Sequence, residues 1–496
     1  MLATIKKLIL ILPFCLPIFF LHAQTSNPIC KPTPILGQAF YVSHEGVDYK
    51  ADGSWAHPWK TIKYALYKIA DGNTLIIKPG IYTGRVRIEK AFPKGLLVKS
   101  EIPYQAKLTH SQRIVILTDK ASNITIEGFE ITHNSPESSP LVVHIDGGGK
   151  KTVKNIAIRN NIIHDSFNND LLKINYGAEH VKVECNMFYN QGDSDEHIDI
   201  NSVANITVSD NIFFNDFPSS NRKITEKSSS FIVIKDSNND EDRFHGSENI
   251  DVTRNIFLNW QGSHGQGFVL IGEDGKPYYE AHNVNIFNNL MIGNSPITMR
   301  APFMVKGAKD INFYNNTITG NLPSSAFAVR VTKERKNQRP TNVNLFNNIW
   351  SDPTGSMGMG EFEDNTDFSD TLIQHLDEYS LNNNLYWNGG KSLPSSIFDR
   401  INPSNDDNQH IVNPQLGDQQ NAITPTWLAD KKQFADQSYD IREAFLRLVY
   451  YYAIPARTSS VANKITSLDK LFPKEDILGN KRHSPQSLGV LQLKNK

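Results

Sequence analysis

Acidic side chains crowd a short loop, and the strand that follows it, just after Gly192. The loop contains Asp193, Asp195 and Glu196, and the strand contains Asp199. Carboxylate oxygens on a flexible loop suit Ca²⁺ better than a transition metal. Loops of this composition are also common as solvated turns, so the residue types indicate a calcium site without excluding a plain surface loop.

Two lysines, Lys173 and Lys235, lie on either side of this stretch and are candidate general bases. One reaction that lysines beside a calcium site serve is the cleavage of a uronate, an acidic sugar, by β-elimination. This reaction requires loss of the C5 proton, whose acidity is low until the adjacent carboxylate is neutralised. Ca²⁺, lysine or arginine supplies that neutralisation, and a lysine or arginine with a lowered pKa takes the proton. Clustered cations lower a lysine pKa whereas Asp199 raises it, so the direction stays open. Surface lysines that complete a charge ladder are the alternative.

A glycoside hydrolase would use the acidic residues differently. It needs two carboxylates that lie ~5 Å or ~6.5–9.5 Å apart. Asp170, Glu196 and Asp199 are candidates for such a pair.

A repeat punctuated by asparagine must position these side chains. Seven times between Asn155 and Trp350 a short apolar alternation ends in asparagine and starts again at once. The period-2 alternation predicts two short strands per copy, joined at an asparagine that tolerates a left-handed bend. Copies 25 or more residues apart predict a solenoid, here a parallel β-helix. The matched residues are Asn161, Asn186, Asn211, Asn255, Asn289, Asn316 and Asn348.

Adjacent coils of a β-helix stack ~4.8 Å apart, so a functional site is a column of outward side chains. We align the strands that precede four repeats, at 141–146, 171–175, 197–201 and 231–235. This alignment predicts an inward column of Ile145, Ile174, Ile200 and Ile234. It also predicts two outward columns, one of His144, Lys173, Asp199 and Val233 and the other of Asp146, Asn175, Asn201 and Lys235. We predict that Lys173 and Lys235 are catalytic. We predict that substrate is bound by His144, Asp146, Asn175 and Asn201.

The stretch from Phe40 predicts a strand at 40–43, a helix at 61–70 and a strand at 74–78. With its motif Pro58-Trp59-Lys60-Thr61-Ile62, it resembles the N-terminal entry of secreted pectate-lyase-like β-helix proteins. The resemblance implies an all-β fold, a single-stranded right-handed parallel β-helix whose open end is capped by the helix. Capping is needed because a solenoid end exposes apolar core and strand edges. The segment 476–493 resembles the last strand of the same superfamily.

Two further likenesses concern the site. The spacing Asp195-x-x-x-Asp199 looks like the calcium-binding strand of pectate lyases, which implies Asp195 and Asp199 as metal ligands and Asp170, one coil earlier, as a third. The segment 295–320 faintly resembles the pectate-lyase segment whose arginine serves as the base, which implies that Arg300 is catalytic. Arg300 falls about four coils from Asp170 in this alignment, and a bond to loop carbonyls or to a carboxylate is its alternative role.

The chain starts with Lys6-Lys7 and an apolar run at 8–21, which predicts a signal peptide at 1–23 and an exported protein, periplasmic or extracellular. The run is shorter than the ~20 residues that span a bilayer, and no later stretch approaches that length. The formal net charge of −1 becomes −3 without Lys6 and Lys7, which argues against nucleic-acid and anionic-membrane partners. We divide the remainder into a leader (24–39), a cap with the first coil (40–95), the β-helix (96–390) and a flanking segment (391–496). The flank includes an amphipathic helix within 433–453.

Two cysteines follow the predicted signal peptide, Cys30 and Cys185. They have the option of pairing in an oxidising compartment. Because Cys185 sits on a predicted strand in a core-like setting, we expect a buried free thiol.

These features together predict a secreted protein that acts on an acidic, uronate-containing polysaccharide, as a lyase. A non-catalytic carbohydrate-binding or adhesive β-helix protein is one alternative, and a glycoside hydrolase with paired carboxylates is the other. We expect Ca²⁺ as the cofactor and favour a monomer.

Overall fold

The computed structural model is a stack of coils, most of which contribute one strand to each of three parallel sheets. The predicted parallel β-helix is therefore confirmed. The structure describes residues 29–149, 152–193, 195–238, 241–262, 266–320, 322, 324–357, 367–417, 419, 422–455 and 472–493. The predicted signal peptide at 1–23 lies outside these residues. Among them, neither helix is long and apolar enough to cross a membrane.

The three sheets, which we name A, B and C, lie side by side along the stack. Sheet A consists of β1 (Ala39–Val42), β2 (Asn73–Ile77), β5 (Ala91–Ser100), β8 (Ser122–Glu127), β11 (Lys154–Arg159), β14 (Glu179–Glu184), β17 (Ala204–Ser209), β20 (Ser247–Thr253), β23 (Ala281–Phe287), β26 (Ala308–Tyr314), β29 (Thr341–Phe346) and β32 (Tyr379–Asn382). Sheet B consists of β3 (Gly80–Thr83), β6 (Ala106–His110), β9 (Glu130–His133), β12 (Ile162–His164), β15 (Met187–Tyr189), β18 (Ile212–Phe214), β21 (Ile256–Phe257), β24 (Leu290–Gly293), β27 (Thr317–Gly320), β30 (Ile349–Asp352), β33 (Leu385–Asn388) and β34 (His410–Ile411). Sheet C consists of β4 (Val86–Ile88), β7 (Val115–Leu117), β10 (Val143–Asp146), β13 (Leu172–Asn175), β16 (Ile198–Asn201), β19 (Ile232–Lys235), β22 (Val269–Ile271), β25 (Phe303–Lys306), β28 (Ala326–Thr332) and β31 (Asp367–Asp370). The remaining described elements are α1 (Ile62–Lys68), α2 (Ile441–Tyr452), three short 3-10 helices (Phe217–Ser220, Ile373–His375 and Pro403–Asn405) and a small antiparallel pair, β35 (Trp427–Leu428) with β36 (Gln433–Phe434).

The core lies inside the coils, where the strands alternate apolar residues inward. Ile145, Ile174, Ile200 and Ile234 are fully buried and pair in register along sheet C, as the sequence predicts. The register also places both predicted outward columns on the other face of this sheet, because side chains alternate along a strand.

The repeated asparagines form a buried ladder between sheets A and B. From Asn186 onward, the Oδ1 atom of each ladder residue accepts the backbone N–H and the Nδ2–H of the asparagine one coil earlier, at 2.8–3.1 Å. Asn161 Oδ1 accepts the backbone N–H of Phe129 at 3.0 Å. Buried amides require such partners, and the ladder supplies them coil after coil. Its members, all fully buried, are the seven predicted asparagines and an eighth, Asn384.

The sequence prediction misplaced the left-handed bend. The backbone N–H and the side chain of each matched asparagine make hydrogen bonds along the stack. The left-handed bend falls at the residue that precedes each of these asparagines. The left-handed residues, with φ of 52–62°, are Asn160, Cys185, Asp210, Arg254, Asn288, Asn315 and Asn347.

Helix α1 covers the first coils. Its residues Ile62, Ala65 and Leu66 are buried in the main core. Thr61 caps the helix, since its Oγ1 atom accepts the N–H of Tyr64 at 3.2 Å. The helix is shorter than predicted because the backbone is already extended at Ile69.

The expectation of a free thiol is wrong, because Cys30 and Cys185 form a disulfide. The N-terminal segment is held beside sheet A by Thr33, whose backbone N–H donates to Glu127 Oε1 at 3.1 Å. Arg159 Nη1 donates to Thr33 Oγ1 at 2.7 Å. These contacts bring together two cysteines that are 155 residues apart in sequence.

The C-terminal flank packs on the outer face of sheet B. In α2, Phe445 and Leu448 share a buried cluster with Met187 and Phe214 of that sheet. The segment 476–493 is not the last strand that the resemblance implies. Sheet B already ends at β34, and the segment instead makes turns around Asp476, whose Oδ1 accepts two backbone N–H groups at 2.9 Å.

Candidate active site

Ionisable side chains concentrate on the outer face of sheet C, across β10, β13, β16 and β19. Lys173 pairs in register with Asp199, and Asn201 with Lys235. Glu196 lies two residues before β16, in the position that Asp170 occupies before β13. Because adjacent strands are ~4.8 Å apart, four coils bring all of these side chains within ~15 Å.

Asp170, Glu196 and Asp199 form a compact group, which we call the acidic cluster. Each offers a carboxylate oxygen, and these oxygens lie within 4.8 Å of one another. All three residues are at most 2% exposed. The backbone N–H of Glu196 donates to Asp170 Oδ1 at 3.2 Å, which ties the two coils together.

The acidic cluster lacks enough positive charge for its burial. Lys173 donates to Asp199 Oδ2 and lies 3.7 Å from Asp170 Oδ2. Asp199 Oδ1 is buried and has no hydrogen-bond partner among the described residues. Burial, and then the charge of Asp170, raises the pKa of Glu196 well above its usual range. Among the described residues, Lys173 is the one cation within ion-pair distance of these three buried carboxylates, and Asp199 Oδ1 has no described partner.

Asp195 lies at the edge of the acidic cluster and not within it. Its Oδ2 accepts a hydrogen bond from Asn169, and its backbone carbonyl accepts the N–H of Ser229 at 3.0 Å. Burial, followed by the charge of Asp170, raises the pKa of Asp195 to about 7. Of the three metal ligands predicted from the sequence, the structure therefore groups Asp170 and Asp199 with Glu196 instead of Asp195.

Both predicted base lysines are held as ammonium ions by carboxylates. Burial acts to lower the pKa of Lys173, but Asp199 and Asp170 outweigh it and raise that pKa above its usual value. Burial also acts to lower the pKa of Lys235. The charges of Asp199 and Glu196, followed by those of two carboxylates on the next coil, outweigh burial and raise that pKa. On that coil, Lys235 Nζ donates to Glu273 and lies 3.9 Å from Asp274.

The predicted substrate-binding residues mostly bond to protein. Asn201 is 5% exposed, and its side chain pairs with Ser237 through Nδ2 and Oδ1, both at 2.9 Å. Asp146 Oδ1 accepts the N–H of Gly148 at 2.9 Å and so caps its own turn. His144 and Asn175 bond to each other at 3.0 Å.

Arg300 is not brought to the acidic cluster. It precedes β25, four strands of sheet C beyond β13, or ~19 Å along the stack. Its Nε donates to Asp370 Oδ2 at 2.9 Å, and Arg330 Nε donates to the same oxygen at 2.9 Å. The alternative role, an arginine that binds a carboxylate, is the one the structure shows.

Sequence reasoning missed two residues of this face. Glu273, the partner of Lys235, follows β22, which lies one coil beyond the four strands of the predicted columns. Arg113 precedes β7 and bonds to His144, with 3.2 Å between Arg113 Nη1 and His144 Nδ1. Extending the isoleucine register to β7 and β22 would have found both.

The acidic cluster fits a hard divalent cation such as Ca²⁺. The donors are exclusively carboxylate oxygens, which is the ligand type that Ca²⁺ prefers. Asp199 Oδ1 is a buried acceptor without a partner among the described residues, and the raised pKa of Glu196 results from burial and from the nearby charge of Asp170, which a cation would offset. Asp170, Glu196 and Asp199 are the residues that would hold it.

No protein-family model matches the sequence, and no curated protein matches it. Among solved structures, the chain is similar to the pectate lyase Pel9A, with 12% identity, a TM-score of 0.49, and coverage of 92% of this chain and 97% of that one. It is similar to XylC in complex with xylose (11% identity, TM-score 0.49, 92% and 99% covered). It is also similar to the GH136 lacto-N-biosidase of Eubacterium ramulus (10% identity, TM-score 0.49, 75% and 67% covered). At these identities the likeness concerns the fold alone, and function rests on the residues of the site.

Proposed function

We propose that this chain is an exported polysaccharide lyase that cleaves an acidic, uronate-containing polymer by β-elimination on the outer face of sheet C. The observation that carries the proposal is the acidic cluster, with its unsatisfied Asp199 oxygen, beside Lys173 and Lys235. The Cys30–Cys185 disulfide supports export, because disulfides persist in oxidising compartments.

We propose Ca²⁺ as the cofactor, held by Asp170, Glu196 and Asp199. When bound, it supplies positive charge that offsets these carboxylates and acidifies the C5 proton of a uronate whose carboxylate it neutralises.

Lys235 is the proposed base, and Lys173 is a counter-ion. Lys173 contacts Asp199 and Asp170, so its ammonium balances the acidic cluster itself. The contacts of Lys235 are instead with Glu273 and Asp274, whose side chains are 25% and 27% exposed. Much of the charge that holds the proton on Lys235 comes from Asp199 and Glu196. Offsetting those two carboxylates lowers the pKa of Lys235 toward the range in which an amine accepts a proton.

The reaction then balances as follows. Lys235, in its neutral amine form, takes the C5 proton on Nζ and becomes an ammonium ion, and the C5–H electron pair forms a double bond to C4. The bond between C4 and the glycosidic oxygen breaks, and that oxygen leaves with the electron pair and gains a proton from solvent.

The hydrolase alternative fits the geometry less well. An inverting hydrolase separates its carboxylates by ~6.5–9.5 Å to admit a water, whereas the cluster oxygens all lie within 4.8 Å of one another. A retaining hydrolase needs ~5–5.5 Å and one carboxylate free to attack, but Asp199 is bound to Lys173.

A panel assay tests the function. The purified protein is incubated with polygalacturonate, alginate and chondroitin sulfate, with Ca²⁺ or with a chelator, while ultraviolet absorbance and reducing ends are both recorded. A lyase raises both signals, because elimination creates a conjugated unsaturated uronate. New reducing ends without absorbance would establish a hydrolase, and binding without either signal would establish a carbohydrate-binding protein. Either result would reject the lyase.

A further inference from the structure

Arg113 lies on the outer face of sheet C, on the coil of β7, two strands before β13. Its Nη1 atom is 3.2 Å from Nδ1 of His144. Because a guanidinium only donates, His144 Nδ1 accepts, and the ring proton must lie on Nε2, which donates to Asn175 Oδ1 at 3.0 Å. Burial lowers the pKa of His144, in agreement with this neutral ring. His144 and Asn175 therefore orient Arg113 without neutralising it.

Among the described residues, the charge of Arg113 has no carboxylate partner. Within the part of the chain that the structure describes, no Asp or Glu lies within ion-pair distance of it. Arg85, one coil earlier, is exposed and bonds to Gln112, again without a described carboxylate partner. This contrasts with the other cations of sheet C: Arg87 is paired with Glu89, Lys173 with Asp199, and Lys306 with Glu334 at 3.1 Å.

On the later coils, the outward column that contains Asp199 is apolar. Beyond Asp199, that column continues with Val233, Leu270 and Met304, which are at most 1% exposed and form an apolar cluster of their own. Arg113, which is half-buried and has no described counter-ion, lies on the earlier coils, ~10 Å from Asp170 along the stack.

We propose that Arg113, oriented by His144 and supported by Arg85, binds the carboxylate of a uronate in a subsite two coils before the acidic cluster. Guanidinium and carboxylate match in a bidentate geometry that a neutral sugar does not offer. The polymer then runs along sheet C from Arg85 toward Lys235. This subsite rests on the proposed function, which it extends by assigning the direction in which the acidic chain lies.

Binding measurements on a variant that does not turn over substrate test the subsite. In the Lys235→Ala background, affinity for polygalacturonate is measured by titration calorimetry with Arg113 intact and with Arg113→Gln, Arg113→Lys or Arg85→Gln. Arg113→Gln is expected to weaken binding at least about tenfold, the effect of losing one charge-assisted hydrogen-bonded pair. Arg113→Lys should retain part of the affinity, and Arg85→Gln should weaken binding less than Arg113→Gln does. Added salt should weaken binding by the intact protein more than by Arg113→Gln.

Arg87→Gln is the matched control, because Arg87 lies on the same face but is already paired with Glu89. It should bind polygalacturonate with unchanged affinity. The subsite would be overturned if the Lys235→Ala protein bound polygalacturonate equally well with Arg113 intact and with Arg113→Gln. An equal loss of affinity in Arg87→Gln, or a lack of binding when Arg113 is intact, would also overturn it. The unfolding midpoint of each variant shows that the fold is retained. These outcomes are separate from the lyase assay: elimination with unchanged Arg113→Gln affinity would sink the subsite alone, and Arg113-dependent binding without elimination would sink the lyase alone.

Discussion

Asp199 shows most directly what the site lacks. One of its oxygens bonds to Lys173, and the other is buried with no hydrogen-bond partner among the described residues. A buried, unsatisfied carboxylate oxygen costs roughly 1–3 kcal/mol or more. A cation bound by the acidic cluster removes that cost in the folded state and not in the unfolded one.

Ca²⁺ should therefore stabilise the protein. A ligand that binds only the folded state adds about 2.7 kcal/mol at a free concentration of about 100 times its Kd. We expect the thermal unfolding midpoint to rise with Ca²⁺ in the intact protein but not in Asp199→Asn. Asp251→Asn is the control, because Asp251 lies on sheet A and bonds to Asn285 at 2.9 Å. No shift in the intact protein, or the same shift in Asp199→Asn, would rule out a cation at this cluster.

At the scale of the element, the asparagine ladder sets the spacing of the coils on which the site is built. Asn211 Nδ2 donates to Val183 O at 2.9 Å, and its Oδ1 accepts the backbone N–H of Asn186 at 2.8 Å. Asn211→Leu leaves both groups buried without partners, which should lower the free energy of unfolding by about 3 kcal/mol. Asn344→Ala is the control, since Asn344 Nδ2 donates a similar hydrogen bond to Asn312 Oδ1 at 3.1 Å but on the outer face of sheet A. It should cost about 0.5 kcal/mol, and equal losses in denaturant titrations would show that burial is not what makes the ladder strong.

The flank that carries α2 is attached to sheet B through a buried ion network. Trp427 Nε1 donates to Glu130 Oε2 at 3.2 Å, and Lys107 Nζ lies 2.7 Å from Glu130 Oε1. Burial acts to raise the pKa of Glu130, but His164 and Lys107 outweigh it and lower that pKa to about 2. Burial acts to lower the pKa of His164, but Asp165 and Glu130 outweigh it and raise that pKa.

These shifts give the flank a pH window. The stabilisation from Glu130 is present above its ordinary pKa of 4.5 and is lost as the pH falls toward about 2. The stabilisation from His164 is present below its ordinary pKa of 6.5 and is lost as the pH rises through its raised value. The difference in unfolding free energy between the intact protein and Glu130→Gln should therefore be largest between pH 4.5 and 6.5. A difference that does not vary with pH would contradict the ionised pair.

The register of sheet C was predictable from the sequence, and the identity of some site residues was not. Four isoleucines at equivalent strand positions fix which side chains face outward, because a slip of one residue would bury the charged set. The exchange of Asp195 for Glu196 in the cluster depends on how the loop after Gly192 turns, and period-2 alternation does not extend into loops. The bend position was missed for a similar reason, since asparagine satisfies both a left-handed turn and a buried ladder.

At the scale of the whole molecule, the disulfide links the N-terminal segment to a middle coil. It spans 155 residues, and loop-closure entropy places its contribution at up to about 5 kcal/mol. We expect the double variant Cys30→Ser, Cys185→Ser to lower the free energy of unfolding by about 2–5 kcal/mol. A reducing agent should lower it equally in the intact protein and should have no effect on the double variant. Thr33→Ala, on the same segment, should cost about 1 kcal/mol. If the reducing agent leaves the unfolding curve unchanged, the link does not contribute to stability.

Long-range contacts of this kind could not be predicted from the sequence. The repeat predicts contacts between neighbouring coils, because they recur at nearly regular spacing. The Cys30–Cys185 bond and the Trp427–Glu130 contact each occur once and join segments far apart in sequence, so no periodicity indicates them.

In the proposed function, Lys235 takes a proton from a uronate on the outer face of sheet C. The most direct test compares the initial rate of ultraviolet absorbance increase on a uronate polymer for the intact protein, Lys235→Ala and Lys306→Ala. We predict that Lys235→Ala lowers the rate at least ~100-fold, the contribution typical of a general base, while polymer binding and a cooperative unfolding transition are retained. Lys306→Ala, on the same face but paired with Glu334, should retain the rate. Full activity of Lys235→Ala, or an equal loss in both variants, would contradict the account.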